Sequence, residues 1–126
     1  MTDPGSRSPD GAQVTVDLAA LGRNFETMRD KSGMAEAAAV IKADAYGLGM
    51  TQIVPKLLAM GCQSFFVALE KEGYRARDLA PDADIFVLNG LPAGAARNFA
   101  EAGLRPCLVS LEQISEWQDY CRAHGA

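Results

Sequence analysis

Short apolar runs alternate with amphipathic segments along most of the chain. Four of these runs are apolar almost throughout and are predicted as strands, at residues 37–41, 64–69, 84–90 and 105–109. Strands of this kind are typical of a parallel sheet covered on both faces. Segments with helical spacing of apolar residues follow them, at about residues 51–60, 70–79, 93–102 and 111–121. The pattern therefore predicts about four consecutive βα units.

One further strand and helix are predicted before these units. Residues 14–16 have the composition of a short strand, and Asp17 after them suits a helix N-cap. The helix that follows has one apolar face, made by Leu18, Leu21, Phe25 and Met28. Residues 1–13 are rich in Pro, Gly, Ser and Asp and contain no apolar stretch, which predicts a disordered tail rather than a signal peptide. Residues 14–126 are then expected to form one domain.

Local signals indicate where several helices begin and end. Pro55 is compatible with a helix only if it lies in or near the first turn. Gly61 suits the position just after that helix. Ser110 and Gln113 have the spacing of a capping box, which opens the last helix. The apolar stripe predicted for that helix consists of Leu111, Ile114, Trp117 and Cys121.

Two architectures fit this pattern of strands and helices. One is a small doubly wound sheet, and the other is part of a (β/α)₈ barrel. A whole barrel takes roughly 250 residues, whereas this chain has 126. The pattern of apolar residues alone does not separate the two.

Composition excludes several classes of function. The net charge is -4 and the twelve basic residues form no stripe, which argues against a nucleic-acid surface. No apolar segment is long enough to predict a membrane span. The three cysteines, Cys62, Cys107 and Cys121, form no CxxC pair, and with a single histidine they make a zinc site improbable. Such cysteine usage fits a reducing cytoplasm.

Lys42 is the residue whose position most strongly indicates chemistry. It follows a core strand, at the edge where ligands bind in both candidate architectures. The structural alternative is a lysine whose stem packs while its ammonium reaches water. Tyr46 is as compatible with the edge of a core as with ligand binding. Gly47 and Gly49 suit a tight turn, but a GxG sequence alone is a weak signal for a phosphate loop.

Residues 38–49 closely resemble the lysine motif of the alanine racemases, pyridoxal-phosphate enzymes of fold type III. The family pattern is lysine-alanine-asparagine/aspartate-alanine-tyrosine-glycine, and here it is Lys42-Ala43-Asp44-Ala45-Tyr46-Gly47. A looser similarity covers about residues 14–121, carried by the segments at 16–24, 66–68, 85–91 and 103–106. The resemblance implies the N-terminal portion of a (β/α)₈ TIM-type barrel, with the rest of the barrel and a C-terminal β-domain not present in this sequence.

The resemblance also implies roles for three residues. Lys42 would hold pyridoxal 5'-phosphate as a Schiff base and move a proton at the substrate Cα. The hydroxyl of Tyr46 would reach the cofactor phosphate. Leu88 would pack against the pyridine ring, although it is equally compatible with plain strand core.

The implied activity is the interconversion of L- and D-alanine, which supplies D-alanine to the cell wall, by a cytoplasmic homodimer. In the family, the second base and the groups that bind the substrate carboxylate come from residues that match nothing in this sequence. The 126-residue chain is therefore expected to carry the lysine, to have open sheet edges, and to be inactive alone.

Three alternatives stay open at the level of sequence. The first is a non-catalytic pyridoxal-phosphate-binding homeostasis barrel, which would use Lys42 without a second base. The second is a broad-specificity amino-acid racemase of the same fold. The third is a doubly wound interaction module that makes no use of Lys42.

Overall fold

The computed structural model describes residues 11–125, so residues 1–10 of the predicted disordered tail lie outside the described part. The elements, in chain order, are α1 Leu18–Ser32, β1 Ala39–Val40, α2 Lys42–Tyr46, α3 Met50–Ala59, β2 Ser64–Val67, α4 Glu70–Leu79, β3 Asp84–Val87, α5 Ala96–Glu101, β4 Leu104–Pro106 and α6 Leu111–His124. Within residues 11–125, none of the helices combines the length and apolar character needed to cross a membrane.

The four strands form one parallel sheet with the order β1-β2-β3-β4. Each strand lies beside its neighbour in sequence, and the order never reverses. A doubly wound sheet requires a reversal, because its two halves run outward from a central strand. The strand order is therefore that of a (β/α) barrel in part, and the doubly wound alternative is wrong.

One face of the sheet packs against the helices. Phe65, Val67, Ile85 and Val87 are fully buried there, and they alternate along the strands with less buried residues. Helix α4 crosses this face closely at Gly73, where a Cβ atom would lie 2.9 Å from Leu104 Cδ1. The absence of a side chain at Gly73 thus sets the distance of α4 from the sheet.

The opposite face carries a row of partly exposed side chains, Val40, Phe66, Phe86 and Arg105, which the strand register aligns. The rings of Phe66 and Phe86 stack with centroids 4.7 Å apart. The Arg105 guanidinium lies 5.5 Å from the Phe86 centroid and pairs with Asp84 at 2.6 Å. In the part of the chain that is described, β1 and β4 each have one neighbouring strand, so the sheet has the two open edges that the sequence predicts.

Two strand predictions need correction. Residues 14–16 form no strand, because no neighbouring segment among residues 11–125 pairs with them, and the Val14 side chain is 81% exposed. The apolar run at residues 37–41 forms only the two-residue strand β1, since it has a single partner, β2. The strands β2, β3 and β4 are also shorter than predicted and end at Val67, Val87 and Pro106.

The helix predictions are closer, but several details differ. Asp17 caps α1 by accepting from Ala19 N and Ala20 N, as predicted. Pro55 is the sixth residue of α3, beyond the first turn. The helix tolerates it because both Pro55 and Thr51, whose carbonyl loses a partner, are exposed to water.

The predicted capping box of α6 forms only in part. Ser110 Oγ accepts from Gln113 N at 3.3 Å, but Gln113 Oε1 accepts from Leu91 N and Val109 N instead of returning the bond to Ser110. The predicted apolar faces are also incompletely covered: Met28 in α1 and Leu111 in α6 are exposed. No described element packs over either side chain. Helical spacing predicts which face of a helix is apolar, but it does not predict what covers that face.

Candidate active site

Lys42 is separated by one residue from the end of strand β1, at the carboxyl edge of the sheet. Ile41 N donates to Phe66 O at 2.8 Å, so the pairing of β1 with β2 continues up to the residue before the lysine. The Lys42 side chain is partly buried, and no carboxylate among residues 11–125 lies within ion-pair distance of its ammonium. In barrels of parallel strands this edge is the one that binds ligands.

The chain turns at Lys42 through an unusual backbone conformation. Residues 43–46, none of them glycine, have φ values of 51°, 54°, 55° and 56°, which makes α2 a left-handed turn. Each L-residue in this conformation costs roughly 1–2 kcal/mol. Hydrogen bonds from Ala45 N to Ile41 O and from Gly47 N to Ala43 O, both 2.9 Å long, close the turn. A strained backbone of this kind persists only where its surroundings hold it, and such strain clusters at functional sites.

A carboxylate from helix α4 holds the first residue of this turn. Glu72 Oε1 accepts from Ala43 N at 2.8 Å, while Glu72 Oε2 accepts from Ala68 N at 2.8 Å and from Leu69 N at 3.0 Å. One side chain therefore joins the turn after Lys42 to the end of β2 and to the start of α4.

The environment of Glu72 favours its charged form. Partial burial raises the pKa of this carboxyl group, but the hydrogen bonds from Ala43, Leu69 and Ala68 together outweigh that effect. The net pKa of Glu72 is lower than its ordinary value. The carboxylate thus remains an acceptor for the three amides at neutral pH.

A second carboxylate, Asp44, holds the middle of the turn. Its Oδ1 atom accepts from Met50 N at 2.8 Å, which satisfies one of the amides left without a partner at the start of α3. The same oxygen lies 2.9 Å from Arg75 Nη1 of helix α4. Since both side chains of this ion pair are about half exposed, the pair orients Asp44 more than it stabilises the fold.

Leu88 shares the carboxyl edge with Lys42. Leu88 N donates to Val67 O at 2.9 Å and Asn89 N donates to Ala68 O at 3.1 Å, so the segment after β3 lies beside the end of β2. Ala68 and Ala43 in turn bind the same Glu72 carboxylate. The Leu88 side chain is 36% exposed, so it is not plain strand core.

Tyr46 lies on the other side of the turn. Its side chain is 63% exposed, so it is not buried in the core. With Val40 and Leu48 it lines an apolar cavity of about 280 Å³ bounded by α1, β1 and α3. The structure therefore brings Lys42 and Leu88 to one edge of the sheet, with Tyr46 at the β1 margin of that edge.

A more voluminous cavity, about 430 Å³, lies at the opposite end of the sheet. Its lining includes Cys62 and Gln63 before β2 and residues 80–84 before and at the start of β3. The amino ends of barrel strands serve stability rather than chemistry, so we assign the candidate site to the carboxyl edge.

Within residues 11–125, no group of three or more histidine, cysteine, aspartate or glutamate side chains is placed to hold a metal ion.

Sequence reasoning did not identify Glu72, Asp44 or Arg75 as part of this site. A signal existed for Glu72, because it is the third residue of α4, where the glutamate of a capping box stands. The N-cap residue is Leu69, which has no side-chain acceptor. The sequence therefore does not match the Ser/Thr-x-x-Glu pattern of a capping box. The hydrogen bond from Ala43 to Glu72 joins residues 29 positions apart, so no local sequence pattern predicts it.

Comparison with known proteins gives a consistent result. A family model described as "Alanine racemase, N-terminal domain" matches residues 16–126. The alanine racemase of Methylobacterium sp. (strain 4-46) is 49% identical over 118 residues, which are 94% of this chain and 32% of that protein. The alanine racemase of Rhizobium meliloti (strain 1021) is 46% identical over 104 residues, 82% of this chain and 27% of that protein. The chain thus spans about a third of the length of these relatives.

Solved structures resemble the fold closely. Alanine racemase from Bartonella henselae with covalently bound pyridoxal phosphate superposes with a TM-score of 0.84 at 36% identity, covering 87% of this chain and 32% of that one. A histidine racemase from Leuconostoc mesenteroides superposes with a TM-score of 0.74 at 26% identity, covering 86% and 29%. With a family model matching most of its length, this chain belongs to the alanine racemase family and corresponds to part of the family's N-terminal barrel domain.

Proposed function

We propose that this chain carries the cofactor-binding lysine of a pyridoxal-phosphate-dependent racemase that interconverts L- and D-alanine. The observation that carries the proposal is the position of Lys42. It lies partly buried at the carboxyl edge of the sheet, without a carboxylate partner among residues 11–125, at the start of a strained turn. The solved relative from Bartonella henselae holds the cofactor covalently, which supports the same role for an available amine at this edge.

The residues at the edge fit the chemical groups of pyridoxal phosphate. The Lys42 amine is available to bind the cofactor covalently, and the largely exposed Tyr46 carries a hydroxyl, a group that donates to anions. Leu88 offers an exposed apolar side chain for packing against a ring. When bound, the cofactor supplies an electron sink for negative charge at the Cα of the amino acid.

In this proposal the proton at the Cα of the substrate is moved by side chains of the protein. The Lys42 amine serves the face of Cα that it occupies: it takes the proton from that face in one direction of the reaction and delivers a proton to it in the other. Racemisation needs a second proton-transfer group on the opposite face, and we propose that this group and the carboxylate-binding groups come from residues outside this sequence. The 126-residue chain by itself is then inactive.

The wider setting is part of the same proposal. We propose a homodimeric cytoplasmic enzyme that supplies D-alanine for the cell wall. The support is the family of the curated relatives, which are alanine racemases. The histidine racemase among the structural neighbours favours a second candidate, a racemase of the same type with a different or broader amino-acid substrate. Racemisation assays with alanine and histidine, run on an enzyme in which this chain is completed by the remaining residues, distinguish the two.

Covalent capture tests the role of Lys42. The purified chain is mixed with pyridoxal phosphate, reduced with borohydride and digested, and peptide mass locates the adduct. We expect the adduct at Lys42, and its loss in Lys42→Ala. Lys71→Ala is the matched control, because Lys71 is exposed and lies in the first turn of α4, near the same edge. An adduct distributed over the other lysines, or none in a chain shown to be folded by circular dichroism, would contradict the proposal.

The activity itself is tested in a chimaera. This chain replaces the 118 matched residues of the Methylobacterium relative, which supplies the remainder of the enzyme. We expect the chimaera to form D-alanine from L-alanine, and Lys42→Ala in the chimaera to lower the rate by about 10²–10⁴-fold or more. A chimaera that keeps its rate after Lys42→Ala would show that another group does the chemistry.

A further inference from the structure

Glu72 is a charged residue at the candidate site that the proposed chemistry does not use. It is the third residue of α4, and its side chain is only partly exposed. Both of its oxygens are occupied: Oε1 by the amide of Ala43, and Oε2 by the amides of Ala68 and Leu69. Hydrogen bonds to an ionised acceptor are shorter and stronger than neutral ones, so this carboxylate is a firm anchor for three backbone groups.

The Ala43 amide is the group that matters for the lysine. It belongs to the peptide unit that joins Lys42 to Ala43, and a peptide unit is planar. Holding its N–H at 2.8 Å from Glu72 Oε1 fixes the orientation of that plane. The orientation of the plane sets ψ of Lys42, and with it the direction in which the lysine side chain leaves the end of β1.

We propose that Glu72 is the positioning residue of Lys42. Its carboxylate holds the peptide after the lysine against the ends of β2 and α4, and so aims the amine over the carboxyl edge of the sheet. Glu72 touches neither cofactor nor substrate in this role. The inference rests on the proposed function, because it concerns the placement of the lysine that would bind the cofactor.

The conformation of the turn shows why an anchor is needed. Residues 43–46 are all left-handed, and L-residues leave this conformation readily unless the surroundings hold them. Helix α4 supplies two restraints from one face, since Glu72 and Arg75 are three positions apart. Glu72 holds the start of the turn at Ala43, and Arg75 holds Asp44.

The test uses Glu72→Gln and a matched control, Glu70→Gln. Glutamine keeps the size of the side chain but places an N–H₂ donor where one of the two acceptor oxygens stands, so it cannot accept from all three amides. Glu70 is also an acidic residue in the first turn of α4, but its carboxylate contacts the Tyr74 hydroxyl and not the turn after Lys42. The control therefore removes the same charge from the same helix end.

Two quantities are measured in the 126-residue chain. The first is hydrogen exchange of the amides at residues 43, 68 and 69, without cofactor. The second is the rate of borohydride-trapped adduct formation at Lys42 with pyridoxal phosphate. We expect Glu72→Gln to speed exchange at these amides and to slow capture at Lys42, each on the order of tenfold. Glu70→Gln leaves both unchanged. If Glu72→Gln does not fold, Glu72→Asp, which keeps the charge but shortens the reach, takes its place with the same expected direction.

The outcomes separate this inference from the proposed function. Unchanged exchange at residue 43 in Glu72→Gln would overturn the inference, as would faster exchange combined with unchanged capture. In both cases the role of Lys42 stands. Failure of the unsubstituted folded chain to form an adduct at Lys42 would instead overturn the proposed function. The exchange comparison, which needs no cofactor, would still decide whether Glu72 holds the turn.

Discussion

At the scale of single residues, the backbone after Lys42 is the least expected feature of this chain. Residues 43–46 are left-handed, and of these only Asp44 is a residue type that adopts this conformation with some ease. For Ala43, Ala45 and Tyr46 the left-handed conformation is energetically unfavourable. The site therefore stores conformational strain beside the lysine, and the carboxylates of Glu72 and Asp44 offset part of it.

Ala43→Gly is expected to stabilise the chain. Glycine removes the left-handed strain of roughly 1–2 kcal/mol and keeps the amide bound by Glu72, while it adds about 0.5–1 kcal/mol of backbone entropy cost. The free energy of unfolding, from urea titration, should rise by up to about 1.5 kcal/mol. Position 118, in the middle of the regular helix α6, is the control. There the Gln118→Gly variant should be about 1 kcal/mol less stable than the Gln118→Ala variant. A loss of stability in Ala43→Gly would show that the turn is not strained.

At the scale of elements, the helices and strands are tied together by side chains that bind backbone groups of other elements. Gln113 and Glu116 of α6 accept from amides of Leu91 and Ala96. Arg77 of α4 is the most extensively bonded of these. Its guanidinium lies within hydrogen-bond distance of five carbonyl oxygens, with one Nη1 hydrogen shared between two of them. The five belong to Ala80, Pro81, Ala83, Ala102 and Gly103. One side chain thus joins the end of α4 to the segments that precede β3 and β4.

Arg77→Lys is expected to destabilise the chain strongly, even though it keeps the positive charge. An ammonium has three donors and no planar fork, so it cannot reach five carbonyls at once. The free energy of unfolding should fall by about 2–3 kcal/mol, measured by chemical denaturation. Arg97→Lys is the control. Arg97 pairs with Glu101 on an exposed helix face and has no other ion pair among the described residues, so its effect should stay within about 0.5 kcal/mol. Equal effects at the two positions would refute the interpretation of Arg77 as a tie between elements.

At the scale of the whole molecule, one face of the sheet has no element packed over it within residues 11–125. Val40, Phe66 and Phe86 form an apolar row on that face, and Val40 is 44% exposed. Strands β1 and β4 also present unpaired edges within the described residues. Exposed apolar faces and free strand edges favour association with other chains.

The 126-residue chain studied alone is therefore expected to self-associate. Val40→Lys places a charge in the apolar row and on the edge strand, so it should shift the average mass in sedimentation equilibrium towards the monomer. Val14→Lys makes the same chemical change at an exposed position outside the sheet and should leave the mass unchanged. A chain that is monomeric at high concentration without substitution would contradict this prediction.

The sequence by itself determined most of the helices and strands and pointed to the location of the candidate site. Apolar runs and helical spacing predicted four parallel βα units, and Asp17 and Ser110 were correctly predicted as caps. These features are local, because capping and amphipathicity depend on residues a few positions apart. The motif around Lys42 placed the lysine at the carboxyl edge. The cofactor roles of Lys42, Tyr46 and Leu88 stay predictions.

The tertiary structure alone decided how these elements meet. The strand order excluded the doubly wound alternative, and the lack of a partner left residues 14–16 without a strand. The left-handed turn after Lys42 and the hydrogen bond from Ala43 to Glu72 also had no signal in the sequence. Alanine, aspartate and tyrosine have no local preference strong enough to impose four left-handed residues, and the first of the four is hydrogen-bonded to a carboxylate 29 positions away. Contacts at such distances along the chain leave no periodic trace, and only packing brings them together.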